Sequence, residues 1–304
     1  MKHIITILII TATLSSCEKT INIQIPDEGR KLTVNSFFVQ DSNMIVSLTK
    51  SRYILDGKFE FDPVNDANVT IFKDGDLIEK LTEIHPGTYQ SSFILNESSS
   101  YQIEVSSNEF PNVKAESYLP EKIDIIDFSL SNQSVNEYGE QINKFSLQFK
   151  DNPDTENFYF VQVYKYVIFY DWETGEETDE KFLETQYLYS DDPNTFQEWG
   201  IGEGLLVSDE LLSGKEYSLS FSSYSYTYYD SSTNENDSTT YYVKFHTVSK
   251  DYYQYYKTLA KHKEATDEFF MEPVQVYNNI ENGFGIFAGL STAVDSVKVK
   301  QQGY

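Results

Sequence analysis

The chain has 304 residues, with 48 acidic against 23 basic side chains and a formal net charge of −25. Nucleic acid is a poor partner for such a balance, because neutralising phosphates takes basic patches that the sequence lacks, and the acidity keeps the body off an anionic membrane surface. Tyrosine (24) and phenylalanine (21) are abundant, a bias that favours strands, and a single cysteine means that the rest of the chain folds without a disulfide.

That cysteine closes the N-terminal segment. Lys2 and an apolar run from Ile4 to Ile10, with Ala12 and Leu14, read as an export signal. The run is shorter than the roughly 18–20 apolar residues of a membrane-spanning helix. Leu14-Ser15-Ser16-Cys17 matches a lipobox: a branched apolar residue, two small residues for the peptidase, and a thiol that takes the diacylglycerol. Acyl chains then supply about 0.8 kcal/mol per buried methylene. Residues 1–16 are expected to be a signal peptide, Cys17 the lipid attachment site, and 17–30 a spacer. The alternative is a silent cysteine behind an ordinary signal peptide. A nucleophilic role is dismissed, because Cys17 precedes any foldable segment.

From Lys31 the text becomes short strands and polar turns: "KLTVNSFF", "NMIVSLTKS", "GTYQSSFIL", "SYQIEVSS", "NVKAESYLP". In "NVTIFKDGDLIEKL" two apolar runs flank Lys73-Asp74-Gly75-Asp76, a hairpin signal. Residues 31–120 are therefore expected to form an antiparallel sandwich, immunoglobulin-like or transthyretin-like, closed by Leu119-Pro120. Residues 121–304 form a second β-rich domain. There Phe145, Leu147 and Phe149 alternate with polar neighbours, and "NFYFVQVYKYVIFYDWETGEETDEKFLETQYLYS" predicts a long hairpin turning at Glu173-Thr174-Gly175-Glu176. "KEYSLSFSSYSYTYY" and "TTYYVKFHTV" predict another, joined by a polar tip at 230–240. One helix is expected near 250–263, with Ser249 as N-cap, Asp251 in the first turn, and Tyr252, Tyr255, Tyr256 and Leu259 on one face. A loop and a last strand close the chain. The expected class is all-β: two β-sandwich-like domains and one short helix.

Chemistry is harder to find. His3, His85, His246 and His262 show no zinc spacing, and nucleophile elbows and phosphate-cradling glycine loops are absent. Asp151, Asn152, Asp154 and Glu156 crowd one stretch, but without the alternation of a calcium loop; a solvated turn is the better account. The acid pairs Glu176-Glu177 and Asp179-Glu180 sit at a hairpin tip, where no cleft is implied for glycoside hydrolysis. No catalytic residue, metal or cofactor is assigned. Tyr217, Leu219 and Phe221 share one strand face, which puts Tyr224, Tyr226 and Tyr228 on the other. Those three are either a partner or glycan surface, or they pack on the other domain or against Tyr242. Packing is the preferred reading.

"SKDYYQYYKTL" (249–259) followed by "EPVQVYNNIENGFGIFAG" (272–289), behind a lipobox, "DANVTIFKDGDLI" and "PGTYQSS", resembles the Bacteroidetes outer-membrane lipoproteins grouped as domain of unknown function 4249. Asn279, Gly283 and Gly285 read as turn markers of that fold. The resemblance implies a lipid anchor at Cys17, an outer-membrane address, and companionship with a TonB-dependent transporter barrel in ligand capture or complex assembly. A stand-alone glycan-binding or adhesive lipoprotein is the other reading. The family defines no catalytic residues. Only one acid, Glu18, directly follows Cys17, a weak surface-export signal that leaves the membrane face open.

Overall fold

The structure is a computed structural model, and it describes residues 27–300 except 28, 54, 58, 97, 136–140, 171–173, 175–176, 197–203, 213, 225–237, 268–270 and 273. The segment read as a signal, with Leu14, Ser15, Ser16 and Cys17, the expected spacer up to 26, and Tyr226 and Tyr228, lie outside the described residues.

The first half is built from hairpins. β1 (Leu32–Val39) and β2 (Asn43–Lys50) run antiparallel, with Leu32, Val34, Phe38, Met44, Val46 and Leu48 buried at period two. β3 (Asn68–Lys73) and β4 (Asp76–Lys80) form the hairpin expected at Lys73–Asp76. Asp74 and Gly75 both take positive φ, 51° and 91°, the left-handed pair that a two-residue turn needs to match strand twist. β5 (Thr82–His85), β6 (Thr88–Ile94), β7 (Ser99–Ser106) and β8 (Val113–Leu119) complete this half.

The second half contains β9 (Ile125–Val135), β10 (Gln141–Lys150), β11 (Phe158–Tyr170), β12 (Glu177–Thr185), β13 (Leu188–Tyr189), β14 (Thr195–Phe196), β15 (Leu205–Ser208), β16 (Glu216–Tyr224) and β17 (Ser238–Val248). A helix, α1 (Lys250–Asp267), and the 17-residue strand β18 (Phe284–Lys300) follow. The all-β class is confirmed, and β11 and β12 pair as the expected long hairpin.

Three sheets organise these strands. One ten-stranded sheet runs β14-β15-β11-β17-β18-β1-β2-β6-β5, with β12 also on β11; two four-stranded sheets run β4-β3-β7-β8 and β13-β16-β10-β9. β18 joins the halves: Phe284–Leu290 pairs parallel with β1, and Leu290–Lys300 pairs antiparallel with β17. Side chains alternate between faces of a strand, so alternate residues of β18 sort the cores. Phe287 enters an apolar cluster with β1, β3 and β7; Val297 and Val299 enter a second with β10, β11, β16 and β17. Both clusters occupy one face of the large sheet, each roofed by its own four-stranded sheet. The residues of opposite parity, Ile286, Ala288 and Leu290, point to the opposite face, where α1 lies.

The sheet thus draws strands from both 31–120 and 121–304. The link between those spans is fastened to it: Ser291 Oγ donates to Pro120 O at 2.6 Å, and Ile123 N donates to Thr247 Oγ1 at 3.2 Å. One sequence expectation fails. β16 and β17 are not arms of one hairpin, since β16 pairs with β10 and β13 while β17 pairs with β11 and β18. Their apolar faces enter the same core from its two sides instead, Leu219 and Phe221 from β16 and Tyr241, Val243 and Phe245 from β17. A connection as long as 225–237 has the reach to cross the ~10 Å between packed sheets.

Ser249 caps α1 as expected, and its hydroxyl accepts from Tyr252 N at 3.3 Å and from Gly289 N at 3.2 Å. The tyrosine face docks around Phe37, with Tyr252, Tyr255 and Tyr256 at centroid distances of 5.4, 5.8 and 5.7 Å. Among the described residues no helix is long and apolar enough to cross a membrane.

Candidate functional site

α1, β8 and the segment before β18 converge on an open groove of about 590 Å3. β8 is the last strand of its sheet, so its outer edge faces the helix start rather than another strand. Ser117, buried on β8, donates through Oγ to Asp251 Oδ2 at 2.5 Å, and Tyr277 OH donates to Asp251 Oδ1 at 2.7 Å. Asp251 sits in the first helical turn, where the helix dipole favours an anion. Both its oxygens already hold a hydroxyl, so the carboxylate fixes the groove walls. Ser100 Oγ donates to Glu116 Oε1 at 2.7 Å along one wall, and Lys250 pairs with Glu156 at 2.9 Å on the other side.

Tyr118 and Tyr277 also line this groove. Burial pushes the Tyr118 phenol up to about 12. Burial, and then the hydrogen bond to Asp251, raises that of Tyr277. Both stay protonated at neutral pH and remain donors. The result is a groove of hydroxyls, carboxylates and one ammonium around two aromatic rings, suited to hydrogen-bonding a polar ligand. "SKDYYQYYKTL" and "EPVQVYNN" meet here through Asp251 and Tyr277. The sequence places Asp251 in the first turn of the helix but gives no role to Tyr277 or to Ser117, which is 134 residues from Asp251; no local pattern signals that meeting. Asn279 does act as a marker: its side chain accepts from Phe287 N at 3.0 Å and donates to Phe287 O at 2.8 Å, fixing the entry to β18.

The tyrosine row is placed only at its first member. Tyr224 is half-buried and meets Tyr189 edge-on at 5.0 Å. Tyr242 meets Tyr166 instead, at 6.5 Å, as follows once β16 and β17 belong to different sheets. Tyr226 and Tyr228 lie outside the described residues.

The Asp151 stretch needs a correction. Asp154 and Glu156 are exposed as a solvated turn would have them, but Asp151 is buried. Its carboxylate accepts from the Tyr159 hydroxyl, from Asn157 Nδ2 at 3.2 Å and from Gly214 N at 2.7 Å. A carboxylate so occupied holds the loop to β11 rather than binding calcium. Tyr217 and Asp192 repeat the pairing. Among the described residues, no three His, Cys, Asp or Glu side chains group as a metal site would. Glu177, Asp179 and Glu180 belong to β12, while Glu176 falls outside the described residues.

A family model described as "Domain of unknown function (DUF4249)" matches residues 18–296. No curated protein matches the chain.

Proposed function

The chain belongs to the family described as domain of unknown function 4249, and from that premise we propose that it is a non-enzymatic, lipid-anchored outer-membrane protein that captures a ligand for, or assembles with, a TonB-dependent transporter barrel. The observation that carries this reading is the groove held open by Ser117, Asp251 and Tyr277. Its central carboxylate is committed to structure, and its remaining polar groups offer contacts for holding a ligand.

Cross-linking in native cells, followed by purification of the full-length chain, tests the partnership. A barrel should co-purify in stoichiometric amount, and its absence would sink the proposal. The anchor has its own test. Cys17→Ala should leave the chain soluble or as an unprocessed precursor; outer-membrane fractionation that resists salt would refute lipidation. The Tyr118 and Tyr277 rings beside Glu116 also suit sugars, which favours the second reading, a stand-alone glycan-binding or adhesive lipoprotein. Polysaccharide binding lost on Glu116→Ala, with no barrel recovered, would select it.

A further inference from the structure

The chain has two arginines, Arg30 and Arg52, and both line one cleft of about 280 Å3 together with Lys50 and the acids Asp56, Glu60 and Asp62. This cleft lies where the described chain begins. Ser51 N donates to Lys31 O and Lys31 N donates to Ser51 Oγ, both at 2.9 Å, so the segment leaving β2 is fastened beside the segment entering β1. Arg30 reaches Asp27 at 2.9 Å and Asp56 at 2.7 Å.

The same segment exposes large apolar side chains: Leu55 is 64%, Phe59 93% and Phe61 54% exposed. Single exposed apolar residues are ordinary, but three on one short segment leave apolar surface that a partner would cover. Cations stand over the rings around it: Arg52 over Phe61 at 4.2 Å, Lys31 over Phe284 at 4.8 Å, and Arg30 over Tyr53 at 5.8 Å. Aromatic rings flanked by long cationic side chains are the composition that settles at a bilayer interface, with the charge at headgroup level and the ring below it.

We propose that Leu55, Phe59 and Phe61 insert into the headgroup–acyl boundary of a zwitterionic phospholipid leaflet, so that the tethered body rests on the membrane by this end. Two features select that occupant. The cleft mixes Arg30, Lys50 and Arg52 with Asp56, Glu60 and Asp62, which complements a phosphate and an ammonium together and suits a chain of net charge −25 better than an anionic surface. Cys17 also stands ten residues before Asp27, at most about 36 Å of extended chain, so acyl chains on Cys17 keep this end within reach of the bilayer. The inference rests on the lipid-anchor reading.

Tryptophan fluorescence on phosphatidylethanolamine–phosphatidylcholine vesicles containing brominated lipid tests it, using full-length Phe59→Trp with Leu211→Trp on the second sandwich as reference. Emission of the parent chain, which has Trp172 and Trp199, is subtracted. In the acylated protein, position 59 should shift to the blue and be quenched several-fold more than position 211. Equal quenching at the two positions would overturn the proposal. The mass of the N-terminal peptide reads acylation separately. If Cys17 proves bare, the anchor reading falls, and Cys17→Ala protein on the same vesicles at millimolar lipid decides the loop: quenching confined to position 59 sustains it, and none refutes it. In the Phe59→Trp protein, serine at both 55 and 61 should sharply reduce that quenching without moving the melting temperature. A photo-crosslinker at position 59 in cells should give lipid adducts; a barrel as the main adduct would overturn the lipid assignment.

Discussion

The two sandwiches share a sheet but fill and satisfy their interiors differently. The first core is mostly aliphatic, built on Val34, Leu48, Val69, Ile71 and Ile103 with a small aromatic group in which Phe38 meets Phe287 at 4.6 Å. The second is richer in aromatic rings among its leucines and valines: Phe145 touches Phe128, Phe221 and Tyr241, and Phe149 touches Tyr159, Tyr217 and Phe245. Buried tyrosines bring hydroxyls that must find partners. Tyr89 in the first core uses backbone, donating to Val64 O and accepting from Ala67 N, each at 3.0 Å. In the second, the partners are side chains: Asp151 for Tyr159, Asp192 for Tyr217 and Asn143 for Tyr241. Both cores hold a phenol that burial raises, Tyr89 in the first with a smaller push from Glu83, but the second commits more of its phenols to carboxylates, and that difference can be tested from several sides.

The largest effect is expected from Phe245→Ala, which removes a fully buried ring packed against Phe149 at 4.6 Å and Tyr159 at 5.1 Å. Urea unfolding should show a loss of about 3–5 kcal/mol. Because β18 pairs with both β1 and β17, the transition should stay single. Two steps, with the first sandwich unmoved, would show that the shared sheet does not couple the cores.

Acid tests the seam beneath α1. Burial, and then the charge of Lys244, pulls His246 down to about 4, while its ring nitrogens face Thr292 Oγ1 at 2.8 Å and Gln162 Oε1 at 3.3 Å. The folded pKa lies below the unfolded value near 6.5, so the contribution is complete above pH 6.5 and is lost as pH falls toward 4. At 1.36 kcal/mol per unit this amounts to about 3 kcal/mol. Unfolding free energies at pH 7 and pH 4.5 should diverge in the parent and diverge less in His246→Gln; equal slopes would remove His246 as the cause.

Asp151→Ala comes next. It leaves Tyr159, Asn157 and Gly214 without their shared acceptor, a loss of about 1.5–3 kcal/mol for bonds to a charged group, against about 1 kcal/mol for Tyr89→Phe in the first core. Burial, reinforced by Asp151, raises the Tyr159 phenol above its ordinary 10. That contribution is complete below pH 10 and is lost as pH climbs beyond it, because the unfolded chain ionises first. Alkaline melting curves should therefore flatten in Tyr159→Phe. If Tyr89→Phe flattens them equally, the contrast between the cores is wrong.

Local chemistry made some of this legible in the sequence and left the rest hidden. The Asp74-Gly75 turn, the Ser249 cap and the Phe145/Leu147/Phe149 alternation are written in neighbouring residues, and each sits where it was expected. Alternation says that a strand has a buried face, not which strand lies beside it. Hence the parallel pairing of β1 with β18 was invisible, and β16 and β17 were joined wrongly. Asp151 looked solvated because its loop is polar; only the tertiary approach of Gly214 and Tyr159 shows otherwise. The groove is hidden for the same reason, since Ser117, Asp251 and Tyr277 come from three distant segments.

The smallest effect concerns the rim of the aromatic sandwich, where Tyr224 ends β16 and stacks edge-on against Tyr189, itself 36% exposed. An aromatic pair of this geometry adds about 0.5–1.5 kcal/mol beyond its buried area, and partial exposure places Tyr224→Ser at the lower end. A double-mutant cycle with Tyr189→Ser separates the two roles considered for this tyrosine. If the ring belongs to the packing that distinguishes the second core, the single changes will each lower stability, and the double change will cost less than their sum. If the ring belongs to a partner surface, the cycle will show no coupling, and Tyr224→Ser will weaken retention of the barrel while the melting temperature holds. Contact with Tyr189 favours the first outcome, because a ring already engaged edge-on must break that contact before a partner can use the same face.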